Sequence, residues 1–135
     1  MKNLTLDSYS LIAYFEKEQG YEKVSKYLHL ASIGEAELLL NIINWGEIFY
    51  IILRTYGNDY AALIEKEINT LPVKIIAADF NLTKQAAVFK SKNKMSYADC
   101  FAASTAFIYK GSILTGDNEF KEVENEINIE WIQVN

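Results

Sequence analysis

Apolar positions along this chain follow two patterns that alternate from the N-terminus to the C-terminus. Short runs with a high apolar content are followed by longer segments in which apolar side chains recur every three or four residues, as on one face of a helix. The short runs predict strands over residues 3–7, 38–43, 73–77, 112–115 and 127–134. The longer segments predict helices over residues 8–18, 21–33, 44–56, 59–70, 79–93 and 97–110, and a short acidic helix over 118–125.

Strands that alternate with helices indicate parallel pairing, because a parallel connection has to cross the sheet and usually does so through a helix. The run LLLNII at 38–43 is almost wholly apolar, as expected of a strand buried on both faces. We therefore predict an α/β fold, a three-layer α/β/α sandwich with a central parallel sheet of four to five strands. The length of 135 residues suits one domain, and no linker-like stretch divides it. That domain is expected to span residues 1–135.

Four carboxylates lie near the predicted helix starts. Asp7 ends the first strand, Glu47 falls in the first turn of the helix after the second strand, Asp99 falls in the first turn of the 97–110 helix, and Asp117 follows the fourth strand. The carboxyl ends of parallel strands share one edge of a sheet, and ligands bind there. Three of these acids are therefore expected at that edge, and Asp99 would join them if its helix begins there.

Helix capping explains each acid taken alone. Asp7 and Asp117 can cap the helices that follow them, and acidic side chains favour the positive end of a helix dipole. The other two acids each lie three residues after a capping side chain, which resembles a capping box; these pairs are Asn44–Glu47 and Ser96–Asp99. For a single acid capping is the simpler explanation, and only the set of four favours chemistry.

As a set, the acids predict a metal site. Carboxylates that share partly desolvated surroundings repel one another and take up protons, and a divalent cation removes this conflict. Oxygen ligands suit Mg²⁺ or Mn²⁺, which neutralise charge on a phosphoryl group and make bound water easier to deprotonate. Phosphodiester hydrolysis is therefore the leading reaction class. The single histidine, His29, is distant from the acids in sequence, which argues against a mechanism with two histidines.

Composition limits the function classes. A net charge of −5 has the wrong sign for a protein that binds nucleic acid through a broad basic surface, although a nuclease can meet phosphate with metal cations. The one cysteine, Cys100, excludes an intramolecular disulfide and a cysteine-based zinc site. The N-terminal stretch contains Asp7 and Glu16 and is too polar for a signal peptide or a membrane span. We expect a cytoplasmic protein.

Three segments in this order, LDSYSLIAYF, NWGEIFYIILR and SYADCFAASTAFIYKGSILTGDNEF, resemble the PIN domain family. Within the family, the chain is similar to toxin ribonucleases of VapBC-type toxin–antitoxin pairs, over nearly its whole length. The resemblance implies an acidic metal cluster of Asp7, Glu47, Asp99 and Asp117, with Asp7 and Asp99 as the principal ligands. The implied activity is endonucleolytic cleavage of RNA that depends on Mg²⁺ or Mn²⁺.

The resemblance also implies partners and supporting residues. Ser8 and Thr115 would orient the acids through hydrogen bonds, and Glu119 would assist the cluster. A cognate antitoxin that blocks the acidic pocket and a second copy of the chain in a homodimer are the implied protein partners.

A basic stretch, KQAAVFKSKNK, precedes Asp99. Its candidate contacts to RNA phosphates are Lys90, Lys92 and Lys94. The alternative is an exposed helix end with cations near its C-terminus.

Other function classes stay open. A receiver-like signalling domain would use Asp79, after VKIIAA, as phospho-acceptor; however, Asp7 is followed by Ser8 instead of a second acid, and LTGDNE has Asp where Lys is needed. A phosphatase with D-x-D after its first strand is disfavoured, since LDSYS lacks the second Asp. The remaining alternative is a non-catalytic interaction domain whose acids merely cap helices.

Overall fold

Five parallel strands form the sheet of the computed structural model, which describes residues 1–133. In chain order the strands are β1 (Lys2–Leu6), β2 (Ala36–Asn41), β3 (Val73–Ile76), β4 (Ser112–Thr115) and β5 (Ile129–Trp131). They are arranged β3-β2-β1-β4-β5, with β1 at the centre and every neighbouring pair parallel. The predicted parallel sheet is confirmed.

Helices cover both faces of the sheet. They are α1 (Ser8–Glu16), α2 (Tyr21–Ser32), α3 (Ile42–Tyr56), α4 (Asn58–Thr70), α5 (Phe80–Lys92), α6 (Tyr97–Ile108) and the short 3₁₀ helix η1 (Asn118–Val123). One core lies between the sheet and helices α1 to α4, and the other lies under α5, α6 and η1. The predicted α/β/α sandwich is therefore confirmed.

The central strands have buried side chains on both faces. In β2, Leu38 and Leu40 belong to the first core and Leu39 to the second, because successive strand side chains point to opposite faces. Helix α5 buries the predicted face of Leu82, Ala86 and Phe89. Local periodicity was therefore sufficient to identify these buried positions.

The second strand and the helix that follows it begin two residues earlier than predicted. β2 ends at Asn41, whose side chain caps α3 by accepting a hydrogen bond from the Ile43 N–H at 2.9 Å. Glu47 consequently lies in the second turn of α3, and the first turn contains no acid. The predicted capping box Asn44–Glu47 is wrong, so capping does not account for Glu47.

Two elements near the C-terminus are shorter than predicted. The helix predicted over 118–125 is η1, in which Phe120 and Val123 are buried; their spacing of three residues matches the period of a 3₁₀ helix. The strand predicted over 127–134 is β5, and Val134 lies outside the described residues. Within residues 1–133, no helix combines the length and apolarity that crossing a membrane requires.

Helix α6 packs directly on the middle of the sheet, in contact with β1, β2 and β4. Its small side chains Ala102, Ala103 and Ala106 are fully buried, and they allow this close approach. At its first turn, the Ala98 carbonyl accepts a hydrogen bond from the Asn44 side chain of α3 at 3.0 Å. Since α3 starts directly after β2, this contact brings the start of α6 to the carboxyl edge of the sheet.

Candidate active site

Asp7 lies directly after the central strand and is fully buried. Its Oδ1 caps α1 by accepting the Ser10 N–H at 2.9 Å, and its Oδ2 accepts the Thr115 hydroxyl at 2.5 Å. Burial raises the pKa of Asp7 to about 6, although these hydrogen bonds favour the charged form. Each carboxylate oxygen has a further lone pair, so both can still accept another partner.

Asp99 lies in the first turn of α6 and is only 5% exposed. Ser96 caps the helix by accepting the Asp99 N–H at 3.1 Å, so Ser96 is the capping residue, and Asp99 lines the acidic cavity. Burial raises the pKa of Asp99 to about 8, with further contributions from the carboxylates of Asp117, Asp7 and Glu47. The fold therefore places Asp99 among the other three acids.

Thr115 connects the loops that follow β1 and β4. Besides donating to Asp7, its hydroxyl oxygen accepts the Asp117 N–H at 3.0 Å. Asp117 in turn caps η1 by accepting the Glu119 N–H at 2.9 Å. β1 and β4 are neighbours in the sheet. From β1 the chain continues to β2, which pairs with one side of β1, whereas β4 pairs with the other side. This is the topological switch point at which open α/β sheets bind ligands.

Ser8 and Glu47 form a second link across the site. The Ser8 hydroxyl donates a hydrogen bond to Glu47 Oε1, which joins the first turn of α1 to the second turn of α3. Ser8 is buried and Glu47 is half-buried. Glu47 is thereby oriented by a neighbour that follows Asp7 directly in sequence.

The acids meet at an open cavity of about 330 Å³. The predicted residues in its lining are Ser8, Glu47, Asp99, Asp117 and Glu119. One carboxylate oxygen each from Asp99, Asp117 and Glu119 lie within 4.8 Å of one another. Asp7 is buried beside them and acts on Asp99 through its charge. The structure thus brings together the four predicted acids and Glu119.

Ser10, Tyr9 and Glu18 are among the residues of the site that lay outside the sequence-based set. Ser10 holds the Asp7 carboxylate through its N–H, and its hydroxyl donates to the Asp7 carbonyl at 3.1 Å. Tyr9 and Glu18 line the cavity. The position of Tyr9, two residues after Asp7, could have indicated from the sequence that it lies at the site. Glu18 lies in the loop after α1, and nothing in the sequence indicated its place at the site.

The three candidate lysines lie at and just after the C-terminal end of α5. The Lys90 ammonium donates to the Met95 carbonyl at 2.7 Å, and the Lys94 N–H donates to Glu122 Oε1 at 3.0 Å. Lys92 is exposed. The described lining of the acidic cavity includes none of the three. An exposed helix end with cations near its C-terminus agrees with this placement, and contact with RNA stays a prediction.

The donor set of the site fits a hard divalent cation. Within residues 1–133 the one ion pair is Lys2–Glu130, so no lysine or arginine neutralises the clustered acids. The part of the cavity lining that the structure describes offers carboxylate and hydroxyl oxygens and contains no His, Cys or Met, which suits Mg²⁺ and Mn²⁺. Burial, and then repulsion from the neighbouring carboxylates, raises the pKa of Asp99, and a bound cation would offset both effects.

Asp79, the alternative phospho-acceptor, lies apart from this cluster. It follows the edge strand β3, is exposed, and caps α5 by accepting the Leu82 N–H at 2.9 Å. This geometry is that of an ordinary helix cap and does not favour a receiver-like domain.

Comparisons with known proteins agree with the fold. The sequence model of the PIN domain family matches residues 4–126. A sequence search among curated proteins found no match.

Solved structures from three bacteria are similar over most of the chain. The DNA-bound VapBC from Salmonella typhimurium contains a chain with a TM-score of 0.77 and 16% identity, with coverage of 98% of this chain and 99% of that one. VapBC2 from Rickettsia felis, bound to a promoter DNA fragment, has a TM-score of 0.75 and 16% identity, with coverage of 96% and 98%. VapC20 from Mycobacterium tuberculosis, a toxin described as cleaving the sarcin-ricin loop, has a TM-score of 0.69 and 14% identity, with coverage of 87% and 92%.

Proposed function

The chain belongs to the PIN domain family, and on this premise we propose that it is a metal-dependent endoribonuclease that hydrolyses RNA phosphodiester bonds. We further propose that it is the toxin of a type II toxin–antitoxin system. The observation that carries the proposal is the burial of Asp99 beside Asp7, Glu47 and Asp117 at the carboxyl edge of the sheet. Uncompensated carboxylates in this position suit a site for a cation and a phosphate.

Asp7, Glu47, Asp99 and Asp117, assisted by Glu119, would hold Mg²⁺ or Mn²⁺. The cation would supply a Lewis acid that neutralises phosphate charge and lowers the pKa of water. The chain itself supplies the orientation of the carboxylates. Thr115 positions Asp7 and the backbone of Asp117, while Ser8 positions Glu47. Such outer hydrogen bonds determine where metal ligands point and how basic they are.

The structural neighbours support one of the proposed protein partners. Two of the similar structures are VapBC toxin–antitoxin complexes, which supports a cognate antitoxin for this chain. A basic segment of the antitoxin would complement the acidic cavity and block it. We also propose a homodimer and a cytoplasmic location. Light scattering of the purified chain, alone and mixed with a candidate antitoxin, tests both assemblies.

Some of the acids do cap helices, but capping does not explain why four acids lie together at the cavity. Asp7, Asp117 and Asp79 all accept a hydrogen bond at a helix start. Asp79 alone is remote from the acidic cavity, and Asp99 is not the capping side chain of its helix. The chain therefore contains a matched control for the interpretation in which the acids only cap helices.

The test is RNA cleavage by the purified chain with and without Mg²⁺ or Mn²⁺, beside Asp99→Asn, Asp117→Asn and Asp79→Asn. Asparagine caps a helix about as well as aspartate, so all three variants should fold. We expect cleavage to require the metal and to fall by at least about a hundredfold in the first two variants, because a ligand is lost. Asp79→Asn should cleave like the unmodified chain. Metal-independent cleavage, or full activity of Asp99→Asn, would contradict the proposal.

A further inference from the structure

A second cavity opens beside the acidic one, next to β5. It has a volume of about 330 Å³ and is lined by Gln19, Gly116, Asn118, Lys121, Trp131 and Gln133. Gly116 and Asn118 flank Asp117 in the chain, so the two cavities share the loop after β4. The volume lies within the range of small-molecule sites, roughly 300–1,000 Å³.

The wall between the two cavities is built from specific contacts. Gln133 Nε2 donates to the Tyr9 hydroxyl at 3.1 Å and to the Gly116 carbonyl at 3.2 Å. Tyr9 also lines the acidic cavity. A Cβ atom at Gly116 would lie 2.4 Å from both Gln133 Nε2 and Tyr9 Cε1, so a larger residue there would displace these side chains. The second cavity is therefore a defined feature adjoining the acids.

The chemistry of the lining suits a nucleobase. Trp131 is half-buried and is paired in the sheet with Thr115, the residue that holds Asp7. Gln19 and Asn118 are exposed residues in the lining of this cavity. An indole offers a stacking surface, and amides donate to and accept from base edges.

We propose that this second cavity binds one nucleotide of the RNA, adjacent to the phosphodiester at the acidic site, and contributes to sequence preference. The inference rests on the proposed ribonuclease function. Trp131 stacks on the base, Gln19 and Asn118 contact its edge, and Lys121 contacts a phosphate. With a net charge of −5, the chain has little general attraction for RNA, so stacking and amide contacts have to supply affinity. A planar aromatic surface with exposed amides beside it fits a base better than a basic peptide.

Binding is tested by tryptophan fluorescence in buffer free of divalent cations. The chain has two tryptophans, and Trp45→Phe leaves Trp131 as the single reporter. Titration with each of the four ribonucleoside 5′-monophosphates should quench Trp131 saturably, with one base preferred. In this background, Gln19→Ala and Asn118→Ala should each weaken binding about two- to tenfold, the range for one hydrogen bond. Asn58→Ala removes an amide from the matching first position of α4 and should change nothing.

Cleavage of a randomised RNA pool with Mg²⁺ tests the contribution to sequence preference. Gln19→Ala and Asn118→Ala should alter the base preferred beside the cut, whereas Lys121→Ala, which removes a phosphate contact, and the exposed control Asn58→Ala should keep it. Cleavage with an unchanged preference and no quenching would overturn the nucleotide site while the ribonuclease stands. Saturable quenching in a chain that cleaves no RNA would overturn the ribonuclease and support the nucleotide site. Loss of antitoxin binding alone in these variants would overturn the inference.

Discussion

The hydroxyl of Thr115 is hydrogen-bonded to the carboxylate of Asp7 across 108 residues of the chain. The same oxygen accepts the Asp117 N–H, so one buried side chain connects the loops after two neighbouring strands. Both loops carry acids of the proposed metal cluster. The relative position of Asp7 and Asp117 therefore depends on Thr115.

Replacing Thr115 with valine should disturb both stability and activity. The variant removes the donor to Asp7 and the acceptor for Asp117 in a buried place, and we expect a loss of about 1–3 kcal/mol in the free energy of unfolding. Cleavage should fall by roughly 10–100-fold, as for other residues that orient metal ligands. Urea unfolding and RNA cleavage measure the two effects. Thr115→Ser retains the hydroxyl and should recover most of both, and equal behaviour of the two variants would contradict this assignment.

The metal-free protein should lose stability as the pH rises from about 4 to about 8. Asp7 and Asp99 have pKa values of about 6 and about 8 in the fold, above the ordinary value of 3.8. Between the ordinary and the raised values the unfolded chain releases protons that the folded chain retains, which favours unfolding. Below the ordinary value both groups are protonated in the folded and the unfolded chain, so their contribution to stability is fully present there.

Asp99→Asn should flatten this pH profile and melt at or above the temperature of the unmodified chain at pH 8. A raised pKa costs the fold about 1.4 kcal/mol per unit, so a stabilisation of at least about 1 kcal/mol is expected there. Thermal melts in a chelator across this pH range provide the measurement. If the metal-free variant melts well below the unmodified chain at pH 8, the ionised Asp99 carboxylate does not destabilise the fold, and the prediction is wrong.

Addition of Mg²⁺ or Mn²⁺ should reverse the loss at pH 8. A ligand that binds only the folded state stabilises it by about 2.7 kcal/mol at a hundred times its dissociation constant. Metal binding should also release protons, because the carboxylates must ionise to coordinate the cation. Differential scanning calorimetry with titration in two buffers detects both effects. The metal should stabilise Asp79→Asn as much as the unmodified chain, and Asp99→Asn much less. Equal stabilisation of the two variants would argue against the acidic cluster as the metal site.

Ser8→Ala tests the orientation of Glu47. Ser8 donates to Glu47 Oε1 at the wall of the acidic cavity, and its loss leaves the half-buried carboxylate without this donor. We expect cleavage to fall roughly tenfold while stability changes by less than about 1.5 kcal/mol, the usual effect of one hydrogen bond. Ser91→Ala removes an exposed hydroxyl at the end of α5 and serves as the matched control. A large loss of stability with unchanged cleavage would assign Ser8 a purely structural role.

Much of the architecture could be predicted from the sequence because the relevant signals are local. The order of strands and helices follows from apolar periodicity, and the buried face of Leu82, Ala86 and Phe89 was visible from their spacing alone. Asp7, Asp99 and Asp117 were identifiable as acids near helix starts. Their catalytic and metal-binding roles stay predictions.

Boundaries and capping roles depended on contacts that the local pattern does not contain. Asn41 ends β2 and caps α3, although Asn44 three residues later is an equally good capping residue in sequence. The choice is made by the tertiary structure, in which Asn44 is buried and donates to Ala98 of α6. Glu47 was thereby moved out of the first turn of its helix.

The sequence by itself determined the alternation of strands and helices and the presence of acids at several helix starts. Periodicity and capping preferences operate over a few residues, so one chain segment is enough to express them. Only the tertiary structure decided that Asp99 lies beside Asp7 and Asp117, that Thr115 connects them, and that Gln133 reaches Tyr9 across 124 residues. Those contacts arise because parallel strands distant in sequence end at one edge of the sheet, and the packing of α6 against it brings a further acid to the same place.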